Sequence, residues 1–193
     1  MLQNEIIDSY LSILRTWNKK INLVQTDTLQ SAFERHIKDS MQICDMLDKN
    51  DLIVDIGSGA GLPGVVVSIC GFKNVVLCEK NFKKSVFLKT VKSKLNLNFD
   101  VFNDDIYNFS KIQNAPRGAF ENCVAVSRAF GSLKLLLDVM CSINISKGVF
   151  HKGEKINEEI NEALHEFEFD YSLVKSVTSD NGVIITVSEI RRK

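Results

Sequence analysis

The residues best suited to chemistry form a glycine-rich loop. It reads Asp55-Ile56-Gly57-Ser58-Gly59-Ala60-Gly61-Leu62-Pro63-Gly64, after a β-branched run that predicts a buried strand. The residues from Pro63 onward predict a helix, so the loop joins a strand to a helix, as nucleotide-binding loops do. Glycines permit positive φ angles and leave bare backbone for a ligand. The alternative is a tight strand-to-helix turn that binds nothing.

The glycine spacing and two acidic residues narrow the choice of ligand. Gly57, Gly59 and Gly61 form GxGxG, which differs from the GxGxxG of dinucleotide sites. Glu79 ends the next predicted strand, where a carboxylate can accept hydrogen bonds from both hydroxyls of a ribose. Asp55 is expected beside the amino end of the same ligand. Together these residues predict S-adenosylmethionine, which has a ribose, a cationic amino acid end and no pyrophosphate.

The composition excludes several other classes of protein. The chain has 193 residues, 45% of them hydrophobic and 25% charged, which is typical of a globular protein. Basic and acidic residues number 24 each, so a strongly cationic nucleic-acid binder is excluded, although local patches are not. The five cysteines show no CxxC spacing and the histidines number three, so we expect no metal and a reducing, cytoplasmic setting. No signal peptide or membrane span is predicted.

Charge is unevenly distributed along the chain. Seven lysines and one acid lie between Lys73 and Lys94. The phosphate-contact candidates among them are Lys80, Lys83 and Lys84, although a helix face that simply contacts water is the alternative. Residues 151–170 hold seven acids and two lysines, so this stretch is expected to lie away from RNA. Lys152, at its start, is one further phosphate candidate.

Hydrophobic periodicity predicts the elements that position these residues. Residues 1–48 have two helical stripes and form a predicted helical extension, and residues 49–193 form one compact domain. In that domain short strands alternate with helices, which predicts an α/β fold with a mostly parallel sheet. The turn signal Ser179-Asp180-Asn181-Gly182 predicts a closing hairpin. The segment Ser110 to Glu121 is the best candidate for an exposed loop.

Six motifs in order resemble the RsmG family, also called GidB. They are Trp17-Asn18-Lys19-Lys20-Ile21-Asn22-Leu23, Arg35-His36-Ile37-Lys38-Asp39-Ser40, the loop from Asp55 to Gly64, Lys83-Lys84-Ser85-Val86-Phe87-Leu88, Val126-Ser127-Arg128-Ala129-Phe130 and Lys152-Gly153. The resemblance covers most of the chain. It implies a Rossmann-like class I methyltransferase with a seven-stranded sheet, an N-terminal helical extension and S-adenosylmethionine as donor.

The resemblance also implies a substrate and a set of contacts. The family methylates N7 of a guanine in 16S ribosomal RNA near the decoding site, so the small ribosomal subunit is the expected partner of a monomeric enzyme. The implied cofactor contacts are Gly57, Leu62, Ile106, Tyr107 and Arg128. This chain reads Asp105-Ile106-Tyr107 where the family often has Arg-Ala-Glu, which leaves backbone and side-chain contacts both open.

The chemistry of the acceptor explains why the sequence shows no obvious general base. Guanine N7 is a lone pair with no proton, so its methylation needs alignment and no general base. Arg128 is therefore expected to position substrate or cofactor, or else to form a surface salt bridge. His36 is an RNA-contact candidate, with a hydrogen bond to Asp39 or to backbone as the alternative. A missing acid–base pair is equally consistent with a non-catalytic ribosome-associated module, and a small-molecule or protein methyltransferase also remains possible.

Overall fold

The computed structural model describes residues 3–25, 33–111 and 122–193. Residues 26–32, and residues 112–121 of the predicted loop, lie outside the described residues. Among the described helices none is long and apolar enough to cross a membrane.

A single seven-stranded sheet forms the centre of the molecule. Its strands are β1 Leu52–Ile56, β2 Val75–Cys78, β3 Asp100–Phe102, β4 Cys123–Arg128, β5 Lys147–Lys152, β6 Phe167–Lys175 and β7 Val183–Arg192. Their order across the sheet is β3-β2-β1-β4-β5-β7-β6. The first five strands pair in parallel, and β7 pairs antiparallel with both β5 and β6. The predicted mostly parallel sheet and its closing hairpin are thus confirmed.

The strand order reverses between β1 and β4. The chain runs outward from β1 through β2 to β3, then returns to the centre and continues from β4 to β5. Ligands of open α/β sheets bind at such a reversal, beyond the carboxyl ends of the strands. The glycine loop follows β1 and Arg128 ends β4, so both lie at this edge.

Helices cover the sheet on both faces. They are α1 Gln3–Asn18, α2 Asp39–Gln42, α3 Gly64–Ile69, α4 Phe82–Leu95, α5 Leu133–Ile143 and α6 Ile156–Leu164. Asn81 caps α4 by accepting a hydrogen bond from the Lys84 N–H, and Ser132 caps α5 in the same way at Leu135. The acidic helix α6 ends at Leu164, and Phe167 is fully buried as the first residue of β6.

The N-terminal helices pack into the main core. Ile7, Tyr10, Leu11 and Leu14 of α1 are buried in the same cluster as Phe87 of α4. The Trp17 ring meets that of Phe87 edge-on, with centroids 5.7 Å apart. The second predicted helical stripe is divided into a π-helix Phe33–Lys38, the short α2 and a 3-10 helix Ile43–Met46. The division into an extension at residues 1–48 and a domain at residues 49–193 stays a prediction.

Candidate functional site

The glycine loop has the backbone that its sequence predicts. Gly57, Gly59 and Gly61 have φ angles of +71°, +54° and +86°, which residues with a Cβ rarely adopt. The Gly57 and Ser58 N–H groups both donate to the carbonyl of Cys78 at the end of β2, 3.0 Å away. The loop is therefore fixed to the carboxyl end of the neighbouring strand.

Asp55 stabilises the loop through a hydrogen bond to its backbone. Its side chain is fully buried, and Oδ2 accepts a hydrogen bond from the Gly64 N–H at 3.1 Å. A Cβ on Gly64 would lie 2.6 Å from that oxygen, so glycine is required there. Burial raises the pKa of Asp55 to about 7. The carboxylate lies inside the turn, and its Oδ1 has no hydrogen-bond partner among the described residues. Its expected place beside the amino end of the ligand stays a prediction.

The three loop glycines serve different purposes. A Cβ on Gly57 would lie 2.2 Å from Cδ2 of Phe130, so the Phe130 ring lies directly against this glycine. A Cβ on Gly61 would strike Val65 at 2.4 Å, which makes Gly61 a helix-packing residue. A Cβ on Gly59 would have one neighbour within 4 Å among the described residues, the carbonyl oxygen of Gly57 at 3.8 Å. Of the three, Gly59 therefore leaves the most open space for a ligand.

Glu79 links the loop to the end of β2. Its Oε2 accepts from the Gly59 N–H at 2.9 Å, and its Oε1 accepts from the Asn81 N–H at 2.7 Å. The residue is 7% exposed. Since each carboxylate oxygen has two lone-pair sites, both oxygens can still accept a hydrogen bond from a ligand.

A cavity of about 370 Å³ lies at the carboxyl ends of β1, β2 and β4, within the size range of ligand pockets. Its wall includes four of the predicted cofactor residues, Gly57, Glu79, Ile106 and Tyr107. The last two lie on a 3-10 helix, Ile106–Lys111. The other predicted cofactor residues, Asp55, Gly59, Gly61, Leu62 and Arg128, do not line this cavity, and Leu62 is part of the apolar core.

Arg128 turns away from that cavity toward the N-terminal helices. Its Nη2 donates to Nδ1 of His36 at 2.6 Å, and its Nη1 lies 3.2 Å from the carbonyl oxygen of Arg35 and 3.4 Å from Oδ2 of Asp39. Arginine carries only donors, so His36 Nδ1 accepts and the imidazole proton lies on Nε2. Burial, together with the Arg128 charge, lowers the pKa of His36 to about 4. His36 is therefore neutral at physiological pH.

Asp39 contacts Arg128 and several other elements, and sequence reasoning missed these contacts. Its Oδ1 accepts hydrogen bonds from Ser176 Oγ at 2.9 Å and Thr178 Oγ1 at 3.0 Å, while Oδ2 pairs with Arg128. His151 on β5 places its Nε2 2.8 Å from the Asp39 carbonyl oxygen. Asp39 thus joins the N-terminal helices, β4, β5 and the turn after β6. The motif containing Asp39 was the only sequence signal, and it did not indicate these partners.

The predicted RNA-binding lysines divide into two groups. Lys80 and Lys83 are exposed, and Lys84 is half-buried at the wall of the 370 Å³ cavity. Lys152 has a side chain only 5% exposed, and its Nζ lies 2.6 Å from both the Gly131 carbonyl oxygen and Glu159 Oε2. Lys152 therefore holds α6 against the end of β4 and is not placed for the predicted phosphate contact.

The same ion pair places the start of the acidic helix next to the end of β4. Glu159 of α6 also accepts from the Leu133 N–H at 2.6 Å, at the start of α5. It lines a cavity of about 640 Å³ together with Arg128 and Lys152. Glu159 therefore connects α6 to the start of α5 and to Lys152, and the expectation that the acidic stretch lies away from RNA stays a prediction.

A third cavity lies between the N-terminal segment and the end of β4. It has a volume of about 650 Å³ and is lined by Asn22, Leu23, Val24, Gln25, His36, Arg128 and Ala129. Ala129 lines this cavity and also the 370 Å³ cavity. Its φ of +58° is unusual for a residue with a Cβ, and this turn directs Arg128 to one cavity and Phe130 to the other.

The sheet order, the glycine loop and the acid after β2 define a Rossmann-like methyltransferase. Solved structures agree: the chain aligns with TYW2 of M. jannaschii in complex with AdoMet, with a TM-score of 0.55, 16% identity and coverage of 91% of this chain and 80% of that one. It also aligns with the tRNA methyltransferase TrmI of Aquifex aeolicus, with a TM-score of 0.58, 16% identity and coverage of 81% and 69%. At these identities the likeness shows the fold alone.

The chain belongs to the GidB family, described as rRNA small subunit methyltransferase G, whose model matches residues 3–185. A relative named ribosomal RNA small subunit methyltransferase G from Orientia tsutsugamushi strain Ikeda is 38% identical over 181 residues, which cover 92% of this chain and 86% of the relative. One of the same name from Rickettsia felis is 33% identical over 190 residues, covering 97% and 94%. The predicted family and fold class are confirmed.

Proposed function

We propose that this protein transfers a methyl group from S-adenosylmethionine to N7 of a guanine in 16S ribosomal RNA, near the decoding site. The observation that carries the proposal is the pair of cavities on either side of Ala129. A donor held at the glycine loop and a base held beside Arg128 would meet at this residue. Membership of the GidB family supports ribosomal RNA as the substrate.

The residues of the 370 Å³ cavity fit the donor. Glu79 keeps lone pairs for two ribose hydroxyls. Gly59 does not line the cavity, but its N–H bonds to Glu79 and its open side leaves room for a ligand to approach the backbone. Ile106 and Tyr107 supply an apolar wall for an adenine ring. S-adenosylmethionine supplies a sulfonium methyl group that leaves in one displacement. Asp55 and Gly61 contribute by shaping the loop, and Leu62 by anchoring it in the core.

The residues of the 650 Å³ cavity fit an acceptor that has no proton to lose. No carboxylate is among the described residues that line it, and His36 is neutral with Nδ1 occupied by Arg128. Arg128 has five N–H donors and its protein contacts use three, so it can donate to guanine O6 while the N7 lone pair faces the donor. This arrangement orients the base, which is the only assistance that N7 methylation requires.

The RNA surface we propose consists of Lys80, Lys83 and Lys84 beside the donor cavity and His36 beside the acceptor cavity. Lys152 is left out because Glu159 already neutralises it. The proposal keeps the enzyme monomeric, as the family resemblance implies. Its substrate would place it in the cytoplasm, where ribosomal subunits assemble.

A methyl-transfer assay tests the proposal. Purified protein and S-adenosylmethionine with a radioactive methyl group are incubated with small ribosomal subunits that lack the modification, and with naked 16S RNA from them. Borohydride reduction and aniline cleavage followed by primer extension then locate N7-methylguanine. We expect one labelled guanine near the decoding site. Label on another base or another RNA, or none with bound donor, would refute the proposed reaction.

A further inference from the structure

The Asp39 carboxylate accepts hydrogen bonds from two different parts of the sheet domain. Asp39 is the first residue of α2, and its Oδ1 accepts from Ser176 Oγ at 2.9 Å and from Thr178 Oγ1 at 3.0 Å, in the turn between β6 and β7. Its Oδ2 accepts from Nη1 of Arg128 at 3.4 Å. The carboxylate therefore connects this turn to the guanidinium at the end of β4.

The turn that carries the two hydroxyls is held against α2 by a second residue. Gln42 donates from Nε2 to the Lys175 carbonyl oxygen at 2.7 Å, and its Oε1 accepts from the Val177 N–H at 3.0 Å. Ser176 Oγ also accepts from the Thr178 N–H at 3.1 Å. The backbone of the turn thus fixes both hydroxyls, and they in turn orient the carboxylate.

The contacts of Arg128 with the protein fix the orientation of its guanidinium. Nη1 donates to the carbonyl oxygen of Arg35 at 3.2 Å and to Asp39, so both of its hydrogens are used. Nη2 uses one hydrogen on Nδ1 of His36. The Nε–H and the second Nη2–H have no partner among the described residues, so these two donors remain for an acceptor base.

We propose that Asp39 is a positioning residue for methyl transfer, and that the hydroxyls of Ser176 and Thr178 act through it. The inference rests on the proposed function, in which Arg128 donates to guanine O6. Asp39 lines neither the 370 Å³ cavity nor the 650 Å³ cavity, so it acts on the base only through Arg128. Its side chain is 13% exposed, and a hydrogen bond between charged groups is stronger at such a site than in water.

Single-turnover methyl transfer by the full-length protein tests whether Asp39 acts through Arg128. At saturating donor and RNA, Asp39→Ala should lower the rate about tenfold, because it removes a charged hydrogen-bond acceptor. In an Arg128→Ala background the same change should alter the rate by less than about twofold, since no guanidinium is left to position. Calorimetry should find the affinity for S-adenosylmethionine unchanged, because the donor cavity lies elsewhere.

A second set of variants leaves the carboxylate in place. Ser176→Ala combined with Thr178→Val removes both hydroxyls and should lower the rate about threefold. Ser176→Ala combined with Thr178→Ser keeps one hydroxyl and should be faster than that variant. Ser172→Ala is the matched control, because its hydroxyl bonds to Thr186 across the same hairpin and does not contact Asp39. This control should have the wild-type rate.

Urea unfolding checks that each variant is folded. Asp39→Ala keeps the bond from His151 Nε2 to the main-chain carbonyl oxygen of residue 39, at 2.8 Å, so we expect it to fold. If it unfolds, the two hydroxyl variants decide the question, because they keep the ion pair with Arg128.

Several results would overturn the positioning role and leave the proposed function intact. They are a wild-type rate in folded Asp39→Ala, the same fold-loss with and without Arg128, weaker donor binding by Asp39→Ala, and a wild-type rate in the variant that lacks both hydroxyls. In each of them the wild type still methylates guanine N7. A wild type that methylates no guanine would instead refute the proposed function, and the positioning role with it.

Discussion

Arg128, the last residue of β4, donates a 2.6 Å hydrogen bond to Nδ1 of His36 in the N-terminal helices. The contact fixes a neutral imidazole against a cation whose side chain is 18% exposed. Burial and loss of solvation lower the pKa of both groups, so the pair has the charge of one guanidinium. The contact with the N-terminal helices therefore holds the Arg128 guanidinium near the reversal of strand order.

The first prediction concerns this pair. Arg128→Ala should lower the single-turnover rate of methyl transfer about 100-fold, a loss of about 2.7 kcal/mol in the transition state, while the protein still folds. His36→Gln keeps an acceptor for Arg128 and should retain more activity than His36→Ala. The rate is measured with saturating donor between pH 6 and pH 8, where His36 is neutral in the wild type.

Circular dichroism and urea unfolding provide the control for these variants. If Arg128→Ala unfolds, Arg128 is a structural residue that supports Asp39. If His36→Ala transfers methyl as fast as the wild type, the hydrogen bond between His36 and Arg128 does not position the guanidinium.

The second prediction separates the lysines that bind RNA from the one that stabilises the fold. Lys152→Met leaves Glu159 partly buried without its cation and should lower the free energy of unfolding by about 3 kcal/mol, with the salt dependence of RNA binding unchanged. Lys83→Met alters an exposed side chain and should reduce the slope of log binding constant against log salt by about 1, with little change in stability. If Lys152→Met instead reduced the salt slope and left stability unchanged, Lys152 would bind RNA.

Local patterns predicted the sheet and the glycine loop well, but they did not predict the contacts of the loop. Strands and helix caps such as Asn81 of α4 depend on residues close together in the chain, so the sequence pattern indicates them. The bond from His151 to Asp39 joins residues 112 positions apart, and the contact of Phe130 with Gly57 depends on how two strand ends meet. Such pairs depend on packing across the sheet. Hence the sequence did not reveal that Gly57, which lines the 370 Å³ cavity, also lies against the Phe130 ring.

The third prediction tests that contact with a double-mutant cycle. Gly57→Ala should destabilise the protein because its φ is +71° and the new Cβ would lie 2.2 Å from Phe130. In a Phe130→Ala background the ring is gone, so the same change should cost about 1–2 kcal/mol less. Urea unfolding of the four proteins gives the coupling. Strict additivity would mean that Phe130 does not constrain the loop.

The fourth prediction uses the buried carboxylate beneath the loop. The pKa of Asp55 in the folded protein is raised by burial to about 7 from its ordinary 3.8, so the folded state holds the proton more tightly than the unfolded state does. This group therefore contributes stability at low pH that is lost as the pH rises through about 7. Asp55→Asn cannot ionise, and its amide oxygen can still accept the Gly64 N–H.

Relative to the wild type, Asp55→Asn should thus gain stability between pH 4 and pH 8, by up to about 4 kcal/mol. Urea unfolding of both proteins at several pH values measures the difference in their free energies of unfolding. The titration of all other groups cancels in this difference. Asp104→Asn, a change at an exposed position, controls for the loss of one negative charge. If the difference in free energy of unfolding between wild type and Asp55→Asn stays constant with pH, Asp55 is ionised in the folded protein throughout this range. The backbone of the loop would then stabilise its charge as well as water does.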